Sequence, residues 1–198
     1  MKVYGDVRSG NCYKVKLLLT LLNIEHQWVE VDIMAKEQHS AEFKAINPNG
    51  KIPAVVLEDG RALSESNAIL GYFADHTQYL PTDSYGKAQV YQWMFFEQYS
   101  HEPYIAVARF IKLYLGLPDN QQARYQALME PGNKALAMLD QQLSQTLFLV
   151  GDSLTIADIA LYAYTHVAAE GGFDLHLYPH ISAWCKRIAA LPNYVALG

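Results

Sequence analysis

Residues 2–31 read KVYGDVRSGNCYKVKLLLTLLNIEHQWVEV, and their pattern decides how the chain begins to fold. Lys2 to Tyr4 is a short strand signal. Cys12 to Leu22 is mostly apolar and rich in straight-chain residues, which predicts a helix partly buried against a sheet. Gln27 to Val31 alternates as a second strand. Parallel neighbours need a crossover of about a dozen residues, so the three segments form a right-handed βαβ unit.

Working outward, Ser40 to Ala45 predicts a short helix that Ser40 caps, with Glu37 and Glu42 favouring its N-terminal end. Asn47-Pro48-Asn49-Gly50 is a turn. Pro53 and the apolar Ala54 to Leu57 follow, and the loop Glu58-Asp59-Gly60-Arg61 leads into Ala62 and Leu63 as a hairpin. A further helix starts near Glu65 and runs to about His76, so the order is βαβαββα. After Gly86 strand signals almost vanish: Lys87 to Leu115, Gln121 to Thr146, Thr155 to Ala169 and His180 to Leu191 read as helices. Pro131-Gly132 is expected to kink or split the second of them. The division is thus an α/β domain over 1–77, a linker over 78–85 and an all-α domain over 86–198.

The 198 residues are 51% hydrophobic, 12% aromatic and 18% charged, with a formal charge of −5. That composition excludes disordered, collagen-like and disulfide-scaffold classes. It offers no electrostatic reason for nucleic acid or an anionic membrane as the main partner. No apolar run reaches the ~18 residues of a membrane span, and no secretory h-region follows Lys2; a cytoplasmic setting is the expectation. Cys12 and Cys185 belong to no CxxC or zinc-ligand spacing, so neither metal nor disulfide is expected.

Four stretches carry a family resemblance: Ser9-Gly10-Asn11-Cys12-Tyr13-Lys14-Val15, Asn47 to Pro53, Glu65-Ser66-Asn67-Ala68-Ile69, and Thr155-Ile156-Ala157-Asp158. In this order and spacing the chain resembles the cytosolic glutathione transferases, in particular serine-type bacterial members. The fold so implied is a thioredoxin-like N-terminal domain followed by an all-helical C-terminal domain. Glutathione is then a co-substrate rather than a cofactor, and a homodimer is the family expectation.

The resemblance makes Ser9 the activator of the glutathione sulfur. The first helix begins just after it, and the unpaired N–H groups there carry about +0.5 charge and favour an anion, a thiolate included. A hydroxyl can donate to that thiolate; the alternative is a serine that merely caps the helix. Asn11, on the same loop, is the reserve donor. A tyrosine serves this role in other members, but its position here is Gly5, and a one-residue shift reverses the face of a strand. Tyr4 therefore reads as core or wall. Cys12 takes the buried, resolving position of a thioredoxin-like motif whose other half is Ser9, so no dithiol cycle is available, and Cys185 reads as core beside Ile181, Trp184 and Ile188.

In thioredoxin-like folds the Ile52-Pro53 bond is cis, which implies that the backbone of Ile52 pairs with the cysteinyl part of glutathione like an added strand; a bare turn proline is the alternative. Lys51 is a partner for the glycyl carboxylate, and Gln38 matches a glutamine that contacts the tripeptide in some serine-type members. Ser66 suits the γ-glutamyl carboxylate and Glu65 its ammonium group; the alternative is that Ser64 and Glu65 are plain N-terminal helix residues, which any helix start prefers. Thr155 to Asp158 is a capping box with a staple from Leu154 to Ile159, a folding motif.

The family binds its electrophile between the domains, which makes Tyr4, Val7, Arg8, Tyr99, His101, Tyr104 and Arg109 candidates. The aromatic run Tyr91, Trp93, Phe95, Phe96, Tyr99 and Tyr104 equally suits helix core or a dimer contact. The leading reading is a glutathione transferase whose thiolate attacks a small hydrophobic electrophile. A glutathione-dependent peroxidase or disulfide reductase, and a non-catalytic binding protein of the same fold, are its rivals.

Overall fold

Val3, Val15, Leu19, Val55 and Ile69, each at most 1% exposed, form the seed of the first of two units. Burying each such side chain is worth about 1.5–3 kcal/mol. The computed structural model describes residues 1–198 and divides into Met1–Thr77 with Leu191–Gly198, and Gln78–Ala190. In the first unit β1 (Lys2–Gly5), α1 (Gly10–Leu21), β2 (Gln27–Glu30), α2 (Ala41–Ile46), β3 (Ala54–Val56), β4 (Ala62–Ser64) and α3 (Ser66–Ala74) follow one another. The predicted order βαβαββα is the observed one. The four-stranded sheet runs β2-β1-β3-β4, with β1–β2 parallel and the other two pairs antiparallel. Pleating sends Val3 and Val55 to the face that α1 and α3 cover. Tyr4 and Ala54 go to the opposite face with Phe43 of α2.

The register fixes where the connecting segments emerge. Gly5 lies opposite Glu30, Tyr4 opposite Ala54, and Ala54 opposite Ser64. The chain after β1, the chain after β2, the residues before β3 and those after β4 therefore all leave the sheet at one end. The last eight residues, which the sequence division counted with the helices, cluster with this unit; Tyr13 Oη donates to Val195 O at 2.8 Å.

The second unit holds α4 (Ser84–Phe96), α5 (Glu102–Arg109), α6 (Gln122–Leu143), α7 (Ile156–Thr165) and α8 (Pro179–Ala189). All ten residues of α7 are buried, so it forms the axis of the bundle. Its capping box is complete, with Asp158 accepting from Thr155 N at 2.9 Å. Two expectations change here. The helix predicted from Lys87 to Leu115 is interrupted by wide π turns at Glu97–His101 and Phe110–Tyr114. Pro103 has no N–H for a four-residue bond, and Glu102 N reaches Glu97 O, five residues back. Pro131 does not split α6, which stays one helix from Gln122 to Leu143. Gly132 beside it leaves room for the Phe173 ring, which a Cβ there would strike.

Candidate functional site

The end of the sheet where four connections meet gathers most of the predicted residues. The loop after β1 is held by Asp6, a carboxylate only 1% exposed. It accepts from Arg8 N at 2.8 Å, Arg8 Nε at 3.2 Å and Arg8 Nη2 at 3.0 Å, while its own carbonyl accepts from Ser9 N at 3.0 Å. This fixes Ser9 as the N-cap of α1 in extended conformation. The Ser9 hydroxyl accepts from Cys12 N at 3.4 Å, a long bond. It is half-buried.

Two residues on, Asn11 meets the start of α3. Ser66, 6% exposed, donates from Oγ to Asn11 Oδ1 at 3.3 Å, and Lys14 Nζ donates to Ser66 Oγ at 3.4 Å and to Asn67 Oδ1 at 3.5 Å. The N-termini of α1 and α3 are thus hydrogen-bonded to each other, and both direct positive dipole ends into the same region. Glu65, the exposed N-cap of α3, holds φ 65° and ψ 109°. A non-glycine residue in that region costs on the order of 1–3 kcal/mol and is characteristic of ligand clamps.

The chain before β3 supplies the rest. The Ile52-Pro53 bond is cis, Pro53 is buried, and Ile52 packs its side chain on Val31, Phe43 and Ala54. Buried Asn47 donates from Nδ2 to Lys51 O at 2.6 Å, which leaves the exposed Lys51 side chain outside the turn. Gly50 has φ +62°, and a Cβ there would lie 3.1 Å from Gln38 O and 2.9 Å from His39 Nδ1. That close approach brings Gln38 next to Lys51. Gln38 Oε1 is buried with no hydrogen-bond partner, the kind of acceptor that a ligand N–H satisfies.

Not every candidate gathers there. The Tyr4 ring stacks edge-on against Phe43 at 6.4 Å on the α2 face, and lines a crevice of about 380 Å³ with Val31, Ser40 and Ile46. A tyrosine at position 5 has no room, since a Cβ on Gly5 would lie 2.6 Å from Cys12 Sγ and 3.2 Å from Trp28 Cζ2. Val7 and Arg8 lie on the loop beside Ser9, and Arg8 is tied to Asp6. In the helical unit, Tyr99 is 84% exposed and Tyr104 half-buried. His101 and Arg109 are both buried within the helical unit. His101 is fully buried with Nε2 2.9 Å from Thr165 Oγ1, and Arg109, 4% exposed, pairs with Glu170. Burial pushes the Cys12 thiol up to about 12, against the opposing pull of the Ser9 hydroxyl and the Asp6 backbone N–H. It is a core thiol rather than a nucleophile. Cys185 is half-buried at the edge of the apolar row it was read into.

Residues 8–76 match the glutathione S-transferase N-terminal domain and residues 92–192 the C-terminal domain. The chain belongs to the glutathione S-transferase family. A glutathione S-transferase structure from Pseudomonas fluorescens is 57% identical, covering 99% of this chain and 98% of that one at a TM-score of 0.98. A glutathione transferase from Burkholderia graminis with two glutathione molecules bound per subunit is 25% identical, covering 97% and 84%, at a TM-score of 0.85. The disulfide-bond oxidoreductase YfcG of Escherichia coli is 28% identical over 93% of this chain and 88% of its own. A glutathione transferase with a thioredoxin-like fold is therefore at hand, and none of its helices is long and apolar enough to cross a membrane.

Lys14 and Asn67 were not singled out from sequence. The signal for Lys14 was present: it stands three and four residues before Leu17 and Leu18, on the buried side of α1, where a lysine needs a partner. Asn67 carried no signal beyond following Ser66.

Proposed function

We propose that this transferase ionises the glutathione thiol at the N-terminus of α1 and directs the thiolate at a small hydrophobic electrophile. The observation that carries the reading is the hydrogen-bonded meeting of the α1 and α3 N-termini through Asn11 and Ser66, at the sheet end where Ile52-Pro53 and the close approach of Gly50 to Gln38 also lie. Ser9 Oγ and Asn11 Nδ2 are the donors to sulfur. Ser66 takes the γ-glutamyl carboxylate, Glu65 its ammonium group, the Ile52 backbone the cysteinyl amide ahead of Pro53, and Gln38 with Lys51 the glycyl end. The thiol gives its proton to solvent, the C–S bond forms, and the leaving group departs with its electron pair, or the thiolate adds to an activated double bond. Rate comes from stabilising the thiolate and from holding two reactants together. Val7 and Arg8 are the first unit's contributions to the electrophile's surroundings. The protein works in the cytoplasm as a homodimer, with glutathione as its only co-substrate.

The likeness to a disulfide-bond oxidoreductase supports a second reading: the same thiolate attacks a mixed disulfide, forming oxidised glutathione and releasing the other thiol. With Cys12 buried, glutathione sulfur has to perform that step.

The test is Ser9→Ala, with Asn11→Ala in parallel, assayed for thiolate absorbance of bound glutathione and for turnover of an aryl halide, a hydroperoxide and a mixed disulfide. Glutathione still binds, the thiolate signal at neutral pH falls, and turnover drops about 10²-fold for the donor that matters. An unchanged thiolate signal in both variants removes them from the role, and absence of glutathione binding in the parent protein sinks the whole reading. The substrate that turns over fastest separates the two reactions.

A further inference from the structure

Lys14 is fully buried, an uncommon state for a lysine, because stripping water from an ammonium group is expensive unless something is gained at the site. Its Nζ is directed at the start of α3, 3.4 Å from Ser66 Oγ and 3.5 Å from Asn67 Oδ1. A lysine has three donors and no acceptor. By donating to Ser66 Oγ it takes one of that oxygen's two lone pairs and turns the hydroxyl proton away from itself, where it is now given to Asn11 Oδ1 at 3.3 Å. An anion needs donors, so this polarity suits a carboxylate and disfavours a ligand that must itself donate. The charge sits one hydroxyl deeper than the ligand.

We propose that Lys14 is a positioning residue that makes the α3 N-terminus selective for a carboxylate: it fixes Ser66 as a donor and places a cation beneath it. This rests on the reading that glutathione occupies the site with its γ-glutamyl carboxylate on Ser66. A carboxylate accepting from Ser66 Oγ would lie about 6 Å from Lys14 Nζ, within the range where a partly buried cation attracts an anion appreciably. The α-carboxylate of the γ-glutamyl group is thus recognised by charge through an intervening hydroxyl, and a tripeptide lacking it gains nothing from Lys14.

The experiment uses two ligands that differ only in that carboxylate, glutathione and γ-aminobutyryl-cysteinyl-glycine, titrated calorimetrically into the full chain, Lys14→Met, Lys14→Gln and Lys14→Arg. Lys14→Gln keeps a donor without the charge and stands in should Lys14→Met not fold. Glutathione binding weakens about 10-fold or more in the uncharged variants, the analogue binds them within about 2-fold of the parent, and Lys14→Arg restores most of the difference. Equal losses for both ligands mean that Lys14 only holds the fold and overturn the proposal, as does no loss for either. Failure of the parent protein to bind glutathione overturns the functional reading, and the role of Lys14 with it.

Discussion

Removing the Asp158 carboxylate is expected to cost the helical unit about 3–5 kcal/mol, and the figure follows from its donors. The side chain is fully buried. Oδ1 accepts from Leu149 N and Trp184 Nε1, both at 2.9 Å, and Oδ2 accepts from Thr155 N at 2.9 Å and Thr155 Oγ1 at 3.0 Å. In Asp158→Ala the Thr155 hydroxyl can turn to another acceptor, but the two backbone amides and the indole cannot. Each buried donor left without an acceptor costs about 1–3 kcal/mol. Part of that total is offset because the burial cost of the carboxylate disappears too. Asp158→Asn keeps one accepting oxygen and turns an NH2 towards two donors, so its loss should be about half that of alanine. Burial raises the Asp158 carboxyl above its ordinary range. The folded state therefore holds this proton more firmly than the unfolded chain, and the group's contribution declines as pH climbs from the ordinary carboxylate range through the raised folded value. Both variants should lack that decline. Urea midpoints for the three proteins between pH 4 and 8 decide the matter. A loss under about 1 kcal/mol in Asp158→Ala would mean the four contacts do not hold the bundle together.

Glu65→Gly should raise the urea midpoint, by up to about 1 kcal/mol of relieved backbone strain, while weakening glutathione binding about tenfold; a loss of stability would show that φ 65° is not strained here. Burial pushes the Cys12 and Cys185 thiols up to about 12, so both should resist a thiol reagent at pH 8 and react on unfolding, Cys12 last. Fast labelling of native Cys12, mapped by mass spectrometry, would contradict its placement. Tyr91, Phe95 and Tyr99 recur every four residues along α4 and its π turn, 41%, 72% and 84% exposed, a face suited to a second copy. Phe95→Asp should shift the protein from dimer to monomer in sedimentation, and an unchanged dimer would exclude this face.

What was legible in the sequence was local. Ser40 and Thr155 announced their helices because caps act on neighbours three residues away, and both cap as read. The alternation of Lys2 to Tyr4 was enough to place Tyr4 and Gly5 on opposite faces, where the structure has them. The features that escaped depend on residues far along the chain. Phe173 sets its ring against Gly132 of α6, 41 positions earlier, and the turn at Pro103 widens within a packed bundle. At the site, Ser9, Asn11 and Ser66 stood out as helix-terminal polar residues beside recognisable turns. Lys14 did not, although its spacing to Leu17 and Leu18 sets it on the buried side of α1, because the partner that explains a lysine there lies at the α3 terminus, 52 residues away.

The return of Leu191–Gly198 to the first unit bears on biosynthesis. The sheet and its helices leave the ribosome before the helical unit, yet the strip containing Val195, whose carbonyl Tyr13 holds, follows that entire unit. The first unit thus begins before the second and is completed after it, and must wait for the intervening 113 residues before the Tyr13–Val195 hydrogen bond can form. A nascent chain stalled after Ala190 would present an unfinished glutathione-binding unit beside finished helices, an arrangement in which protease sensitivity belongs to the older end of the chain.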